Sequence, residues 1–363
     1  MIHHDDRPYD VAATEAGRAM RTRLHQDIER ARGLATHAIQ RIYEDIPEDR
    51  IATAPQLTFG YHDGLMVRCE ETWEKVNPWA LEQMAQAVNL RKDYLQGLLT
   101  SDAAWAQELA IHTLNEFFKH RESRHLLRSV RGEVRGFLSP RYQRRHPGQL
   151  LEGFLEACKR HGLLAYEAWC SSTRHGARAM LDRIIEPVTN EPIGVGVYYG
   201  ESPYGKGATE ISVSIQRMFC TNQAIIEQNL RAAHIGGNLP EDISWSEDTY
   251  KADTRLILTK IQDLIEGSVS ARALDKLVAR IRLAHTKKLD PAKFQRFLLE
   301  NFTKANAAQI SEIYRTGGVE MLPPGDTHWR ASNALSYFAQ NPTLTDEESI
   351  DIQKLAGKLL PEK

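Results

Sequence analysis

Apolar and polar positions change their period several times along the chain, and each change marks an element. From Thr14 to Tyr43, Ala, Leu and Ile recur at three- and four-residue spacings among Arg, Glu and Gln, which predicts a long helix that Pro47 ends. QLTFGYHDGLMVRCEE then sets two short apolar runs around Asp63-Gly64, a strong hairpin signal. Asn77-Pro78 opens WALEQMAQAVNLRKDYLQGLL, a single helix with proline at its start, and AAWAQELAIHTLNEFFKH is another. HLLRSVRGEVRGFLSPRY reads as strand, turn at Arg131-Gly132, and strand. GQLLEGFLEACKRHG is helical, and AYEAWCSS with ARAMLDRIIEPV forms a strand pair. IGVGVYYGE and TEISVSIQRMFC alternate with period two, Ile193, Val195 and Val197 on one face and Ile211, Val213 and Ile215 on another.

From Asn222 onward the pattern reads as helix almost throughout, starting with QAIIEQNLRAAH and closing with helices around HWRASNALSYFAQ and DEESIDIQKLAGKLL. Strands do not alternate with helices as a parallel sheet requires. The expected class is α+β, a central antiparallel sheet with β-hairpins flanked by N-terminal helices and a helical C-terminal region. The expected divisions are a helical segment at 1–50, an α+β core at 51–240 and the helical region at 241–363.

GESPYGKG, Gly200 to Gly207, is one residue short of a phosphate-binding loop, which would have Ser or Thr where Gly207 stands. Such a loop needs a helix directly after it, whose N-terminus holds the phosphates. Here a period-two strand follows. The stretch is expected to be a turn between antiparallel strands, with Lys206 a point charge at its tip.

Composition narrows the class. Hydrophobic residues at 42% and charged residues at 26% are those of a water-soluble globular chain. No apolar run is long enough to span a bilayer, and MIHHDDRPYD is too polar for a signal peptide, so a cytoplasmic protein with no membrane partner is expected. Cys69, Cys158, Cys170 and Cys220 lie far apart and form no Cys-x-x-Cys pair, which fits a reducing compartment. No histidine pair has metal-ligand spacing with an acid beside it, and His3-His4-Asp5-Asp6 is a terminal tract. No metal or other cofactor is expected.

Charge changes the picture most. The formal net charge is -2, yet KHRESRHLLRSVRGEVRGFLSPRYQRRH, Lys119 to His146, holds nine Lys or Arg against only Glu122 and Glu133. A two-residue turn at Arg131-Gly132 would set Arg128 directly opposite Arg135, where like charges repel unless an anion lies between them. Arginine's planar fork suits phosphates, and Tyr142 in PRYQRR offers a stacking face to a base. Acidic helices elsewhere are the competing neutralisers. The candidate phosphate contacts are Arg128, Arg131, Arg135, Arg141, Arg144 and Arg145, extended by Lys206 and Arg217, with Tyr142 stacking.

A second cluster, QRMFCTNQAIIEQNLRAAHIGG, brings Arg217, Cys220, Asn222, Arg231 and His234 to what reads as a strand-to-helix junction. Cys220, His234 and Asn222 have the types of a nucleophile, a base and an orienting group. Structural roles compete with that: an inert buried thiol, a helix cap at Asn222 and helix-end chemistry at His234. The structural reading is preferred, and no catalytic residue is assigned.

VRGFLSPRY (Val134 to Tyr142), RMFCTNQ (Arg217 to Gln223), RAAHIGG (Arg231 to Gly237) and SNALSYFAQ (Ser332 to Gln340) resemble, in that order, motifs of a phage- and plasmid-borne family catalogued as domain of unknown function 932. The match runs best from about Leu114 to Gly237 and more weakly over the C-terminal helices. Gln223 stands where the family has Gly, and YGESPYGKG stands where it has an Asn-Ser-Glu-x-Gly phrase. The phage and plasmid setting, with a helix-flanked antiparallel sheet, is similar to single-strand annealing proteins of the Erf and Red-beta kind. What the resemblance implies, together with the basic stretch, is a homo-oligomeric, non-enzymatic protein that binds single-stranded DNA in recombination or replication. The other expectation is an interaction module whose helical C-terminal third binds a host or phage protein.

Overall fold

A computed structural model describes residues 9–11, 14–218, 222–232, 246–317 and 322–361. The fold is α+β, with helices at both ends of the chain, as the pattern predicts. The strands, however, divide into two sheets.

The first helix, α1 (Glu15–Glu44), starts where the Thr14 side chain accepts a hydrogen bond from the Gly17 amide. Sheet one contains β1 (Glu48–Thr53), β2 (Leu57–Tyr61), β3 (Leu65–Cys69), β4 (Thr72–Val76), β5 (Arg124–Val130) and β6 (Glu133–Leu138), in the order β1-β5-β6-β4-β3-β2. The β2–β3 hairpin turns at Asp63 (φ 51°) and Gly64 (φ 123°), as Asp-Gly predicts. Its one departure from antiparallel pairing is β4 beside β6, with Lys75 opposite Glu133 and Val76 opposite Val134.

The helices α2 (Pro78–Ala87), α3 (Lys92–Leu99) and α4 (Ala104–Lys119) pack on sheet one, around Phe59, Val67, Met84, Leu114 and Phe118. Sequence periodicity merged α2 and α3 into one helix. Asn89 breaks it by taking a left-handed conformation (φ 57°), which asparagine tolerates, and the Leu90 amide turns back to the Ala85 carbonyl at 2.8 Å. At the free edge of β2 the Asn115 side chain accepts from the Phe59 amide (2.8 Å) and donates to its carbonyl (3.1 Å), so α4 closes that edge to further pairing.

After α5 (Pro147–Arg160), sheet two is an antiparallel meander of β7 (Leu163–Cys170), β8 (His175–Val188), β9 (Glu191–Glu201), β10 (Thr209–Arg217) and β11 (Gln223–Ala232). The remaining helices are α6 (Glu247–Ser268), α7 (Ala271–Thr286), α8 (Pro291–Asn301), α9 (Lys304–Thr316), α10 (His328–Phe338) and α11 (Asp346–Lys358). One apolar core joins Val197 and Ile211 of sheet two to Phe154, Ile261, Ile281, Leu298 and Leu335 from α5, α6, α7, α8 and α10. Each such side chain, fully buried, contributes roughly 1.5–3 kcal/mol of transfer free energy.

β11 is the main correction to the predicted elements, since residues 223–232 read as helix. They pair with β10, but the register slips between Ile211 and Ser212 and again between Val213 and Ser214, so Asn229 and Ile226 are extra residues in β11. Two bulges erase the period-two signal. Ala224 and Ile226 join the main core while the adjacent Ile225 packs with Trp169, Tyr198 and Ile350. Asn222 therefore caps no helix. Its carbonyl accepts from the Arg217 amide at 3.0 Å, and its side-chain oxygen accepts from Gln340.

Candidate nucleic-acid interface

The basic stretch folds into β5, β6 and the loop from Ser139 to His146, and much of its charge turns inward. The β5–β6 hairpin does turn at Arg131 (φ 51°) and Gly132 (φ 78°). A bulge at Arg135 then places Gly136, not Arg135, opposite Arg128. The expected facing pair does not form, and each arginine has its own carboxylate. Arg128, 3% exposed, donates to Asp49 (2.7 Å) and to the Pro203 carbonyl (2.6 Å). Arg135 donates to Asp45 and Glu133, both at 2.8 Å. Arg131 stays at the surface beside Glu44 and Asp45.

Arg145, 4% exposed, bridges Asp253 of α6 (3.2 Å) and Thr209 of β10 (3.1 Å). Arg217 grips Glu191 with two parallel bonds, 2.7 and 2.6 Å. Tyr142 is buried, and its hydroxyl donates to the Ser202 carbonyl at 2.9 Å. Burial raises its pKa well above the ordinary value, with Glu201 adding to the rise. A buried guanidinium already paired offers nothing to a phosphate, and a buried ring offers no face to a base. Arg128, Arg145, Arg217 and Tyr142 therefore drop out of the candidate track, and Arg135 is nearly closed off.

What these residues do instead is join the two sheets. GESPYGKG connects β9 to β10, with no helix after it, so it is the turn the pattern predicts. Its Ser202 and Pro203 carbonyls receive Tyr142 and Arg128, and its Tyr204 carbonyl receives Trp79 Nε1 (2.9 Å) and Gln83 Nε2 (3.0 Å) from α2. Lys206 at the tip donates to Glu347 of α11 at 2.6 Å and lies over the Trp79 ring. The anion it holds belongs to the chain itself.

The charge left open lines a cleft of about 1350 Å³ between sheet one, the Ser139–His146 loop, α5 and α6. Arg124, Arg141, Arg144, Lys251 and Arg255 stand on its walls against Glu152, Glu156 and Glu247. Glu156 is engaged by Arg160, and Lys251 lies 3.6 Å from Glu247 at the surface. Among the described residues no carboxylate pairs with Arg124, Arg141 or Arg255. Arg144 reaches only 3.8 Å from Asp49, whose other oxygen Arg128 already holds, and Arg144 Nε is buried without a hydrogen-bond partner. Tyr250 lines the same cleft, half-buried. His125 stacks on Phe137 with centroids 4.3 Å apart at its inner edge, and burial, helped by Arg121, lowers its pKa to about 4, so it is neutral at pH 7.

Of the predicted contacts, Arg141 and Arg144 thus come together, while Arg124, Tyr250, Lys251 and Arg255 were missed. Arg124 lay inside the basic stretch. Lys251 and Arg255 are spaced four apart, a single helix face, but nothing in the sequence says that this face meets the loop 110 residues upstream of Lys251 at Arg141.

Cys220 and His234 lie outside the described residues. Cys69 and Cys158 are buried, and burial raises both thiols, which keeps them unreactive. Among the described residues no cluster of three or more His, Cys, Asp or Glu is placed to share a metal ion, and no helix is long and apolar enough to cross a membrane. No family model, curated protein or solved structure matches the chain.

Proposed function

We propose that this protein binds single-stranded DNA in the cleft between sheet one and α5–α6. Phosphates lie on Arg124, Arg141, Arg144, Lys251 and Arg255, and Tyr250 offers its ring to a base. The observation that carries the reading is the set of three cleft arginines with no carboxylate partner among the described residues, in a chain whose other candidate arginines are internally neutralised. At about 1350 Å³ the cleft exceeds the roughly 300–1,000 Å³ of small-molecule pockets, which favours a polymer over a metabolite. The resemblance to the phage- and plasmid-borne family extends the proposal to a non-enzymatic, annealing-type role in recombination or replication, carried out by an oligomer.

Fluorescence anisotropy of a labelled oligonucleotide tests it. Five phosphate contacts give a salt slope of about -3.5 on single strands, so affinity falls about 100-fold between ~50 and ~200 mM salt. Arg141→Glu with Arg255→Glu abolishes binding in a folded protein. Retained affinity in that variant, or no binding by the wild type at ~50 mM salt, overturns the reading.

A second reading, a protein-docking module, draws on α4. Trp105 is 67% exposed, and Leu109 and Phe117 lie exposed on the same helix. Sedimentation of wild type against Trp105→Ala distinguishes self-association through α4 from a monomer.

A further inference from the structure

α11 presents Glu347, Asp351 and Lys354 on one face, at spacings of four and three residues. Beneath that face lie three cations, each over an aromatic ring. Lys206 donates to Glu347 at 2.6 Å and sits 5.7 Å from the Trp79 centroid. Arg174 donates to both oxygens of Asp351, 3.2 and 3.1 Å, and sits 5.9 Å from Trp169. Arg178, 1% exposed, donates to Gln353 and to Glu167 of β7 (3.3 Å) and sits 5.7 Å from Tyr198.

The two ends of α11 are held differently. Its C-terminal half is anchored in the core by Ala356, and Gly357 lies so close to β11 that a Cβ there would fall 1.8 Å from the Ile225 carbonyl. Its N-terminal half is held by polar contacts, with Ile350 its one side chain in the small apolar cluster of Trp169, Tyr198 and Ile225. Glu347 also accepts from Ser171 and from Thr173 at 2.9 Å. Burial alone would raise its pKa, but the bonds from Lys206, Ser171 and Thr173 outweigh burial and hold it below the ordinary value, so it stays ionised.

The seam is also imperfectly satisfied. Trp169 Nε1, the Tyr198 hydroxyl and Arg178 Nε are buried there with no hydrogen-bond partner. An orphaned buried donor is costly, and a permanently closed interior usually avoids it by placing an acceptor.

We infer that the first turns of α11 are an internal stand-in for a nucleic-acid strand, with Glu347 and Asp351 occupying phosphate positions over a second binding surface. When these turns lift, Lys206 and Arg174 receive the phosphates of a single-stranded segment, and Trp79 and Trp169 receive its bases. The surface is separate from the cleft but shares the proposed ligand, so it rests on the reading that this protein binds single-stranded DNA.

The test uses the full chain and labelled oligothymidylate. Glu347→Gln with Asp351→Asn is expected to raise affinity at least about tenfold, the worth of one newly stacked base, without unfolding the protein. The charge-matched control Glu108→Gln with Glu300→Gln alters two exposed acids elsewhere and leaves affinity near the wild-type value. Trp79→Ala added to the α11 variant removes the gain, whereas Arg141→Glu with Arg255→Glu added to it does not.

An equal gain in the control, or no gain in the α11 variant while wild type binds, overturns the inference and leaves the cleft reading intact. A gain that survives the cleft substitutions while wild type fails to bind sinks the cleft reading alone. No binding by any variant at low salt sinks both. Hydrogen exchange on wild type gives a check independent of variants: residues 345–351 lose protection when saturating oligothymidylate is added, and unchanged protection overturns the inference.

Discussion

Two sets of arginines from one short region meet opposite fates. Arg128 and Arg145, with Arg217 from β10, are buried against carboxylates and join strands, loop and α6. Arg124 and Arg141, with Arg255 from α6, stand in an open cleft with no carboxylate partner among the described residues. Arg128 and Arg145 have the same spacing as Arg124 and Arg141, and only the neighbours differ. A local excess of positive charge therefore measures how much acid the fold must supply before any cation is free for a ligand. Here Asp45, Asp49, Glu133, Glu191 and Asp253 supply it.

The contrast breaks most visibly at Arg217. Arg217→Ala leaves Glu191 buried without its cation and is expected to cost about 3–5 kcal/mol in urea unfolding, with DNA affinity per folded molecule unchanged. A loss below about 1 kcal/mol would mean that the pair is not closed off from water.

His125 stands between the two sets, at the cleft edge but uncharged. Its pKa of about 4 in the folded protein lies below the ordinary 6.5, so the unfolded chain binds the proton more readily. Its contribution is intact above pH 6.5 and is lost as pH falls toward 4, on the order of 2 kcal/mol once discounted for partial exposure to solvent. Melting temperature against pH for His125→Phe should show a shallower acid limb than wild type. An identical limb would place the loss in other groups.

Tyr142→Phe removes one buried hydrogen bond to Ser202, about 1 kcal/mol, and leaves DNA affinity unchanged. A large fall in affinity would instead give the hydroxyl a part in DNA binding. The smallest effect on stability is at the cleft: Arg141→Ala and Arg255→Ala each shift it by less than about 0.5 kcal/mol. Each nevertheless flattens the salt slope of DNA binding by about 0.7. Destabilisation without a change of slope would move these residues into the joining set.

Periodicity made α1, α4, α5, α6, α7, α8, α10, α11 and the strands β5 to β10 legible, because each is written in local apolar spacing. It failed at β11, where Ala224, Ile225 and Ile226 are buried on both faces and two bulges interrupt the pairing, so no alternation of apolar and polar positions is left to read. It failed again at Arg135, where one extra residue in the strand undid the expected meeting with Arg128. Phrases singled out as motifs in the sequence lie partly at joints. VRGFLSPRY supplies the Tyr142 link between the sheets, and Asn222 of RMFCTNQ meets Gln340 of SNALSYFAQ.

By itself, then, the sequence determined the α+β class, the turns at Asp63-Gly64 and Arg131-Gly132, the hairpin nature of GESPYGKG and the concentration of positive charge between Lys119 and His146. Backbone preference and apolar period act over a few residues, so they can be read locally. Which arginines meet a carboxylate was decided only by tertiary structure. Their partners are 79 residues away for Arg128 and 108 for Arg145, and an ion pair depends on distance in space, not along the chain.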